Sequence, residues 1–172
     1  MPVSLVRKDA PVVADATLVS LREISAETVR QITSLSVSPD QQRFVATNAI
    51  SLAEALFHKE AWYRAIYFGE SPAGFVMLYD ESLRGTPPPT PQVALWRFMI
   101  DTRFQGQGIG AAALRHVIAH VKSKRLFSSL ATSYVPGPGC PEKFYLRAGF
   151  QHTGKVDGGE IVLELSLSTD AP

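Results

Sequence analysis

The chain has a single cysteine, Cys140, in 172 residues. No internal disulfide can form, and a reducing, cytoplasmic setting is expected. Nowhere do about 18 apolar residues run together, the length a membrane helix requires. The opening stretch MPVSLVRKDAPVVAD lacks the long apolar segment of a secretory leader. An excess of one charge is missing too. There are 17 Lys and Arg against 16 Asp and Glu, a formal net charge of +1. That balance argues against a large electrostatic footprint for nucleic acid. A further gap is local: no acidic residue occurs between Asp101 and Glu142.

What is present is ordinary for a globular protein, with 45% apolar and 19% charged residues. The length suits one domain with a real core. Residues 1–15, with Pro2 and Pro11 among mixed charges, read as a loose arm ahead of a single domain over 16–172. TLVSLREI (17–24) alternates and predicts a strand. SAETVRQITSL predicts a helix with Ser25 as N-cap, followed by a loop or broken helix. Ser51, with Glu54 three residues on, fits a capping box that opens a second helix. WYRAIYF and AGFVMLYD around GESP read as a hairpin, and ESLRGTPPPTPQ as a proline-rich loop. VALWRFMI (93–100) is a strongly apolar strand. Leu114, Val117, Ile118 and Val121 then fall on one face of a helix. LFSSLATSYV (126–135) predicts a strand. PEKFYLRAGF predicts a short helix, with Pro141 at its first position and Gly149 as its left-handed cap. Two last strands flank DGG, a tight hairpin signal. The predicted order is βααβββαβαββ, an α/β chain without internal repeats.

The segment RFQGQGIG, just before the predicted long helix, sets Gly106, Gly108 and Gly110 at alternate positions. Glycine permits positive φ and close backbone approach. A helix N-terminus presents free N–H groups and the positive end of a dipole, so together they form an anion site suited to phosphate. Three readings compete. The plainest is a turn that lets the helix pack closely. A dinucleotide fingerprint fits Gly106, Gly108 and Ala111 literally, but it needs an acidic ribose ligand about 20 positions on, where this chain has none. The third is a cradle for the pyrophosphate of coenzyme A.

The third reading has further support in resemblance. Gln105, Gly108 and Gly110 match the Q/R-x-x-G-x-G/A signature of the GNAT N-acetyltransferases, and FYLRAGF resembles that family's F-Y-x-x-x-G-F element. The order of strand, loop, long helix, strand and short helix is similar to the family's over residues 17–167. WRFMID, FQGQGIG and SYVPGPGCPEKFYLRAGF are most similar to its bacterial spermine/spermidine (diamine) acetyltransferase-like branch. The resemblance implies the GNAT acyl-CoA N-acyltransferase fold, a mixed, mostly antiparallel twisted sheet flanked by helices. It also implies direct transfer of acetyl from acetyl-CoA to a primary amine, a polyamine or diamine such as spermine or spermidine, without a metal. Members are often dimers, so a homodimer is the implied assembly. The same chemistry on an amino-sugar, an amino acid or a protein N-terminus stays open, as does a non-catalytic acyl-CoA sensor.

On this resemblance Gln105 and the backbone of Gly106, Gln107, Gly108, Ile109, Gly110 and Ala111 hold the pyrophosphate. The backbone of Phe98, Met99 and Ile100 meets the pantetheine arm, and Tyr145 is the general acid to the leaving sulfur. A phenol suits that task because it donates while neutral; the alternative is a helix tyrosine packed beside Phe144. An alkyl amine with a pKa near ~10.4 must lose a proton before attack. Several relatives carry a glutamate on the strand before the glycines, where this chain offers Trp96 and Arg97. Glu54, Glu23 or a water held by backbone carbonyls are the remaining bases. Glu54, Trp96 and Arg97 are candidate substrate residues. Arg97, in an apolar strand, requires a partner because a lone buried charge is costly; a paired structural arginine is the plainer expectation, an organiser of the acceptor pocket the sharper one. Asp40, Glu54, Glu60, Asp80 and Glu81 are candidates for meeting a cationic acceptor. Cys140 reads as a packing or cap residue. His116 and His120 have metal-ligand spacing but lie opposite the apolar stripe and read as solvated. Lys122, Lys124 and Arg125 read as a solvated helix end or a contact to the nucleotide phosphate.

Overall fold

The computed structural model describes residues 14–167. Most of the expected N-terminal arm lies outside the described residues. At its end, the Ala14 N–H donates to the Gln107 carbonyl at 2.9 Å. The elements are β1 (Val19–Arg22), α1 (Val29–Thr33), α2 (Asn48–Ala55), β2 (Ala61–Phe68), β3 (Ser71–Asp80), β4 (Val93–Ile100), α3 (Ile109–Ser123), β5 (Ser129–Tyr134), α4 (Glu142–Arg147), β6 (Gln151–Asp157) and β7 (Glu160–Ser166). Their order matches the sequence expectation.

The strands form one sheet in the order β1-β2-β3-β4-β5-β7-β6. Every pairing is antiparallel except β4 with β5. A parallel neighbour requires a crossover, and α3 supplies it. The apolar stripe of α3, with Leu114, Val117 and Val121 buried, packs on Val76, Leu78, Val93 and Leu95 from one sheet face. The other face carries Phe75, Met77 and Met99 against Ile32, Leu35 and Leu52 from the α1–α2 region. Helices on both faces leave β4 in the middle of the sheet. The DGG hairpin forms as expected: Asp157 pairs with Glu160 across Gly158 and Gly159, both at positive φ.

Several boundaries differ from expectation for tertiary reasons. Helix α2 starts at Asn48, a turn before the expected capping box. Thr47 caps it, accepting from the Ile50 N–H at 3.3 Å. The Asn48 side chain is buried and donates to the Ile32 carbonyl at 2.8 Å, which anchors the first turn to α1. Ser51 is interior and donates to the Thr47 carbonyl. Ser25 does not cap α1. Its carbonyl accepts from the Thr28 and Val29 amides in a turn, and its own N–H donates to the Thr28 hydroxyl. Pro141 sits at the N-cap of α4 rather than its first helical position, while Gly149 takes the left-handed conformation at φ +97°.

The histidine expectation needs a correction. His116 is exposed, but the His120 ring stacks on Trp62 of β2 with centroids 4.2 Å apart. Its Nε2 is buried without a partner. Burial, then the charges of Lys124 and Arg64, hold its pKa below the ordinary histidine value. Among the described residues no group of three or more His, Cys, Asp or Glu gathers as a metal site. The basic cluster is divided as well. Lys124 pairs with Asp80, whose side chain is fully buried, at the end of α3 opposite the glycines.

Candidate active site

The strand β4 is the pivot. Its ladder with β3 skips one residue: Arg97 lies opposite Met77 and Leu95 opposite Leu78, so Trp96 is extra. A bulge of this kind bends a strand and increases its local twist. On its other edge β4 pairs with β5 only at Ala94–Ala131 and Leu95–Thr132. From Trp96 onward the two parallel strands diverge, and the β5-facing backbone of Phe98, Met99 and Ile100 has no strand partner. The Ile100 carbonyl is taken by the Gln105 side chain at 2.8 Å.

A cleft of ≈ 1270 Å³ fills the divergence. The glycine loop forms one end. Gly106 and Gly108 stand at φ +73° and +84°, a region that disfavours residues with a Cβ. Gly108 is the N-cap of α3 and offers no side chain. The first α-helical bond runs from the Ala112 N–H to the Gly108 carbonyl, so the amides of Ile109, Gly110 and Ala111 have no helical partner. Gln105, Gly106, Gly108, Gly110 and Ala111 all line the cleft. Gln107 and Ile109 are placed differently. The Gln107 side chain donates to the Arg103 carbonyl, and Ile109 is buried in the core. A Cβ on Gly110 would stand 3.4 Å from Ile100 and 3.5 Å from Phe144. These residues fit a diphosphate: free amides converge at a helix mouth from which side chains are kept away.

Tyr145 lines the same cleft. Its ring is wedged between Phe144 and Phe150, at centroid distances of 5.3 and 5.6 Å, and Phe144 stacks on Phe98 of β4. Tyr145 is therefore both packed among aromatic rings and part of the cleft wall. Burial pushes the phenol pKa up to about 12, with the Thr132 hydroxyl acting in the opposite sense. The phenol is a neutral donor across the physiological range.

Trp96 and Arg97 also line the cleft. Arg97 donates to Glu54 at 3.0 Å and to the Trp96 carbonyl at 3.0 Å, and its Nε is buried without a partner. The paired arginine expected from sequence is what the fold contains. Trp96 meets His58 and Tyr79 edge-on. Of the five acids expected to meet a cation, four are matched by bases: Glu54 by Arg97, Glu60 and Glu81 by Arg84, and Asp80 by Lys124. Asp40 is exposed. Glu23 pairs with Arg64 instead of facing the cleft. The acids that do line it are Asp157 and Glu160 of the last hairpin, alongside Arg43, Arg97 and Arg147.

Sequence reading missed Thr132 and the hairpin acids. Thr132 carried a signal: Leu130, Thr132 and Tyr134 alternate onto one buried face, and a polar residue on an apolar strand face is informative. The hairpin acids carried none, since acidic residues beside a tight turn are ordinary. Cys140 lines the cleft, with its N–H on the Gly137 carbonyl.

The model of the acetyltransferase (GNAT) family matches residues 47–150. The chain is 28% identical over 162 residues to the spermine/spermidine N(1)-acetyltransferase of Bacillus subtilis (strain 168), covering 87% of this chain and 99% of that protein. It is 26% identical over 102 residues to the L-2,4-diaminobutyric acid acetyltransferase of Streptomyces avermitilis, covering 59% of this chain and 54% of that one. Among solved structures, an acetyltransferase from Thermus thermophilus aligns with a TM-score of 0.63 at 17% identity, over 86% of this chain and 96% of its own. The PaiA N-acetyltransferase from Thermoplasma acidophilum, in complex with coenzyme A, aligns with a TM-score of 0.62 at 14% identity, over 86% and 98%. No helix among the described residues is long and apolar enough to cross a membrane.

Proposed function

The chain belongs to the acetyltransferase (GNAT) family and is an acetyl-CoA-dependent acetyltransferase, and we propose that it transfers the acetyl group directly to a primary amine of a polyamine or diamine such as spermine or spermidine. The observation that carries the reading is the divergence of β4 and β5 with Tyr145 facing into it. The helix-mouth amides hold the diphosphate of the thioester substrate. The unpaired edge of Phe98–Ile100 takes its amide-bearing arm as it would take a strand. Tyr145, a phenol that burial keeps further from ionising, donates a proton to the departing sulfur. The acceptor amine approaches past Trp96 and Arg97. With Glu54 and Glu23 both held by arginines, a water against the β4 carbonyls is the base. A cytoplasmic setting, with Cys140 reduced, goes with this reading.

The polyamine acceptor is supported by the relative named for spermine and spermidine, which aligns over nearly its whole length. A second reading has its own observation. Four of the five expected acids are neutralised, and beyond the paired Arg97 the cleft is lined by charges of both signs, Arg43 and Arg147 with Asp157 and Glu160. That charge pattern suits an amine that also bears a carboxylate, an amino or diamino acid.

The test is thiol release from acetyl-CoA with spermine, spermidine, putrescine, 2,4-diaminobutyrate, an aminoglycoside, amino acids and a short peptide. Release greatest with spermine or spermidine supports the first reading. Greatest release with the diamino acid replaces it with the second. If no amine gives release while acetyl-CoA still raises Tm, catalysis of amine transfer is withdrawn in favour of a sensor. Tyr145→Phe, run alongside, is expected to lower kcat by roughly a hundredfold, the usual contribution of a positioned acid.

A further inference from the structure

Gln105 opens the glycine loop, and both protons of its side-chain amide are spent inside the protein. Its Nε2 donates to the Ile100 carbonyl at 2.8 Å and to the Gln41 Oε1 at 2.8 Å. A glutamine amide nitrogen carries two protons, so none remains for an anion. Gln41 ends a single 3₁₀ turn, Pro39–Gln41, between α1 and α2. Gln41, Arg43 and Phe44 line the cleft. Arg43 donates to the Pro138 carbonyl at 2.6 Å, in the loop between β5 and α4. Val37 and Val45 pack against the core cluster that holds Met99. The stretch between them, 38–44, is a cleft wall slung from the glycine loop to the β5–α4 loop. Its other hydrogen bonds run within its own turns, from the Gln41, Gln42 and Phe44 amides to the Ser38, Pro39 and Gln41 carbonyls.

We propose that Gln105 is a positioning residue that couples the two halves of the site. By holding Gln41 it ties the 38–44 wall to the glycine loop, so that coenzyme A seated at the helix mouth also fixes the wall past which the acceptor enters. The proposal rests on the reading of the helix mouth as the diphosphate seat. Gly106 and Gly108, both at positive φ, give the loop wide backbone freedom. A diphosphate bound by the loop's free amides removes that freedom. Gln105 then stands still, and its bond to Gln41 passes the restraint to the wall. The wall has little else to order it, so the ordering done by the first substrate is ordering the second need not supply. Linkage makes the effect reciprocal: an acceptor held by the wall tightens the hold on coenzyme A.

The test is hydrogen exchange of the full chain, read by mass spectrometry without and with saturating coenzyme A. In the wild type, coenzyme A is expected to slow exchange both at 105–111 and at 38–44. Gln41→Met removes the acceptor oxygen at similar length. Coenzyme A then still slows 105–111, while the slowing at 38–44 shrinks at least about threefold, the low end of one hydrogen bond's worth. Gln41→Glu keeps an oxygen to accept the Gln105 proton and keeps both effects. In steady-state rates with the amine of greatest turnover, Gln41→Met is expected to raise KM for that amine roughly three- to tenfold. KM for acetyl-CoA stays within about twofold, a split that a general loss of structure would not produce. If Gln41→Met lowers Tm strongly, Gln41→Ala is read in the same way. Undiminished slowing at 38–44 in Gln41→Met overturns the proposal, because the wall is then held by direct contact or by Arg43. No slowing at 38–44 in the wild type overturns it as well. So does a Gln41→Glu chain that behaves like Gln41→Met, since the oxygen is then not the tie. Absence of slowing at 105–111 in the wild type removes the reading of the helix mouth instead.

Discussion

Arg97 on β4 donates to Glu54 on α2 at 3.0 Å, so the strand that lines the cleft is tied to a helix on the sheet's other layer. Both side chains are partly exposed, at 20% and 39%. A pair so placed contributes at most about 1 kcal/mol. Glu54 does not line the cleft. Glu54→Gln is therefore expected to keep kcat within about threefold, whereas loss of a general base costs roughly a hundredfold or more. Steady-state kinetics at saturating substrates decides between them.

Two glycines make opposite predictions. A Cβ on Gly74 of β3 would lie 2.3 Å from the Met99 carbonyl, inside the central ladder. Gly74→Ala is expected to cost roughly 3 kcal/mol or more, through overpacking and displaced strands. Gly110 has helical φ, and its added Cβ meets only side chains at 3.4 to 3.7 Å. Gly110→Ala is expected to leave stability unchanged or raise it by about 0.5 kcal/mol. Its methyl group narrows the helix mouth, so KM for acetyl-CoA rises. Thermal melts and initial rates on both variants read the contrast.

Asp101 is buried and accepts from the Ser36 amide at 3.0 Å, the Arg103 amide at 3.1 Å and Arg103 Nε at 2.7 Å. Burial alone raises its pKa, but the Arg103 side chain and the two amides outweigh it, and the net shift is downward. A carboxyl with a depressed folded pKa stabilises above its unfolded value and loses that contribution as pH falls through the folded one. The stability gap between wild type and Asp101→Asn is expected to stay level above about pH 5 and to close below about pH 4. Urea unfolding across that range measures it.

His120 has the reverse charge logic. Its folded pKa is lowered, so the neutral form is favoured in the fold. Stability is full above the unfolded value of about 6.5 and falls as pH drops below it, because the unfolded chain takes up the proton first. His120→Phe keeps a ring against Trp62 and removes the titration. Its Tm is expected to fall less than that of wild type between about pH 7.5 and pH 5.5.

Much of the cleft's framework was readable along the chain. The strand 93–100, the alternate glycines and the stripe of α3 are local patterns, set by side-chain alternation, helical period and the steric freedom of glycine. FYLRAGF marked Tyr145 only through its resemblance to the family's F-Y-x-x-x-G-F element. Other features depend on which surfaces meet. The start of α2 moved to Asn48 because that side chain found the Ile32 carbonyl. Trp62 took up His120 in a stack that half-buries it, with its Nε2 enclosed. The bulge at Trp96 and the two-rung β4–β5 ladder decided where the sheet opens, and so which strand edge stays unpaired. Thr132 could be known as buried from alternation, yet its place at the last rung before the strands part is decided by the β4–β5 register. The sequence by itself determined the elements and the chemical types at the site, because those follow from short-range sterics and periodicity. The tertiary structure alone decided the cleft and the partners of Arg97, Asp80 and Tyr145, because those follow from long-range burial and charge pairing.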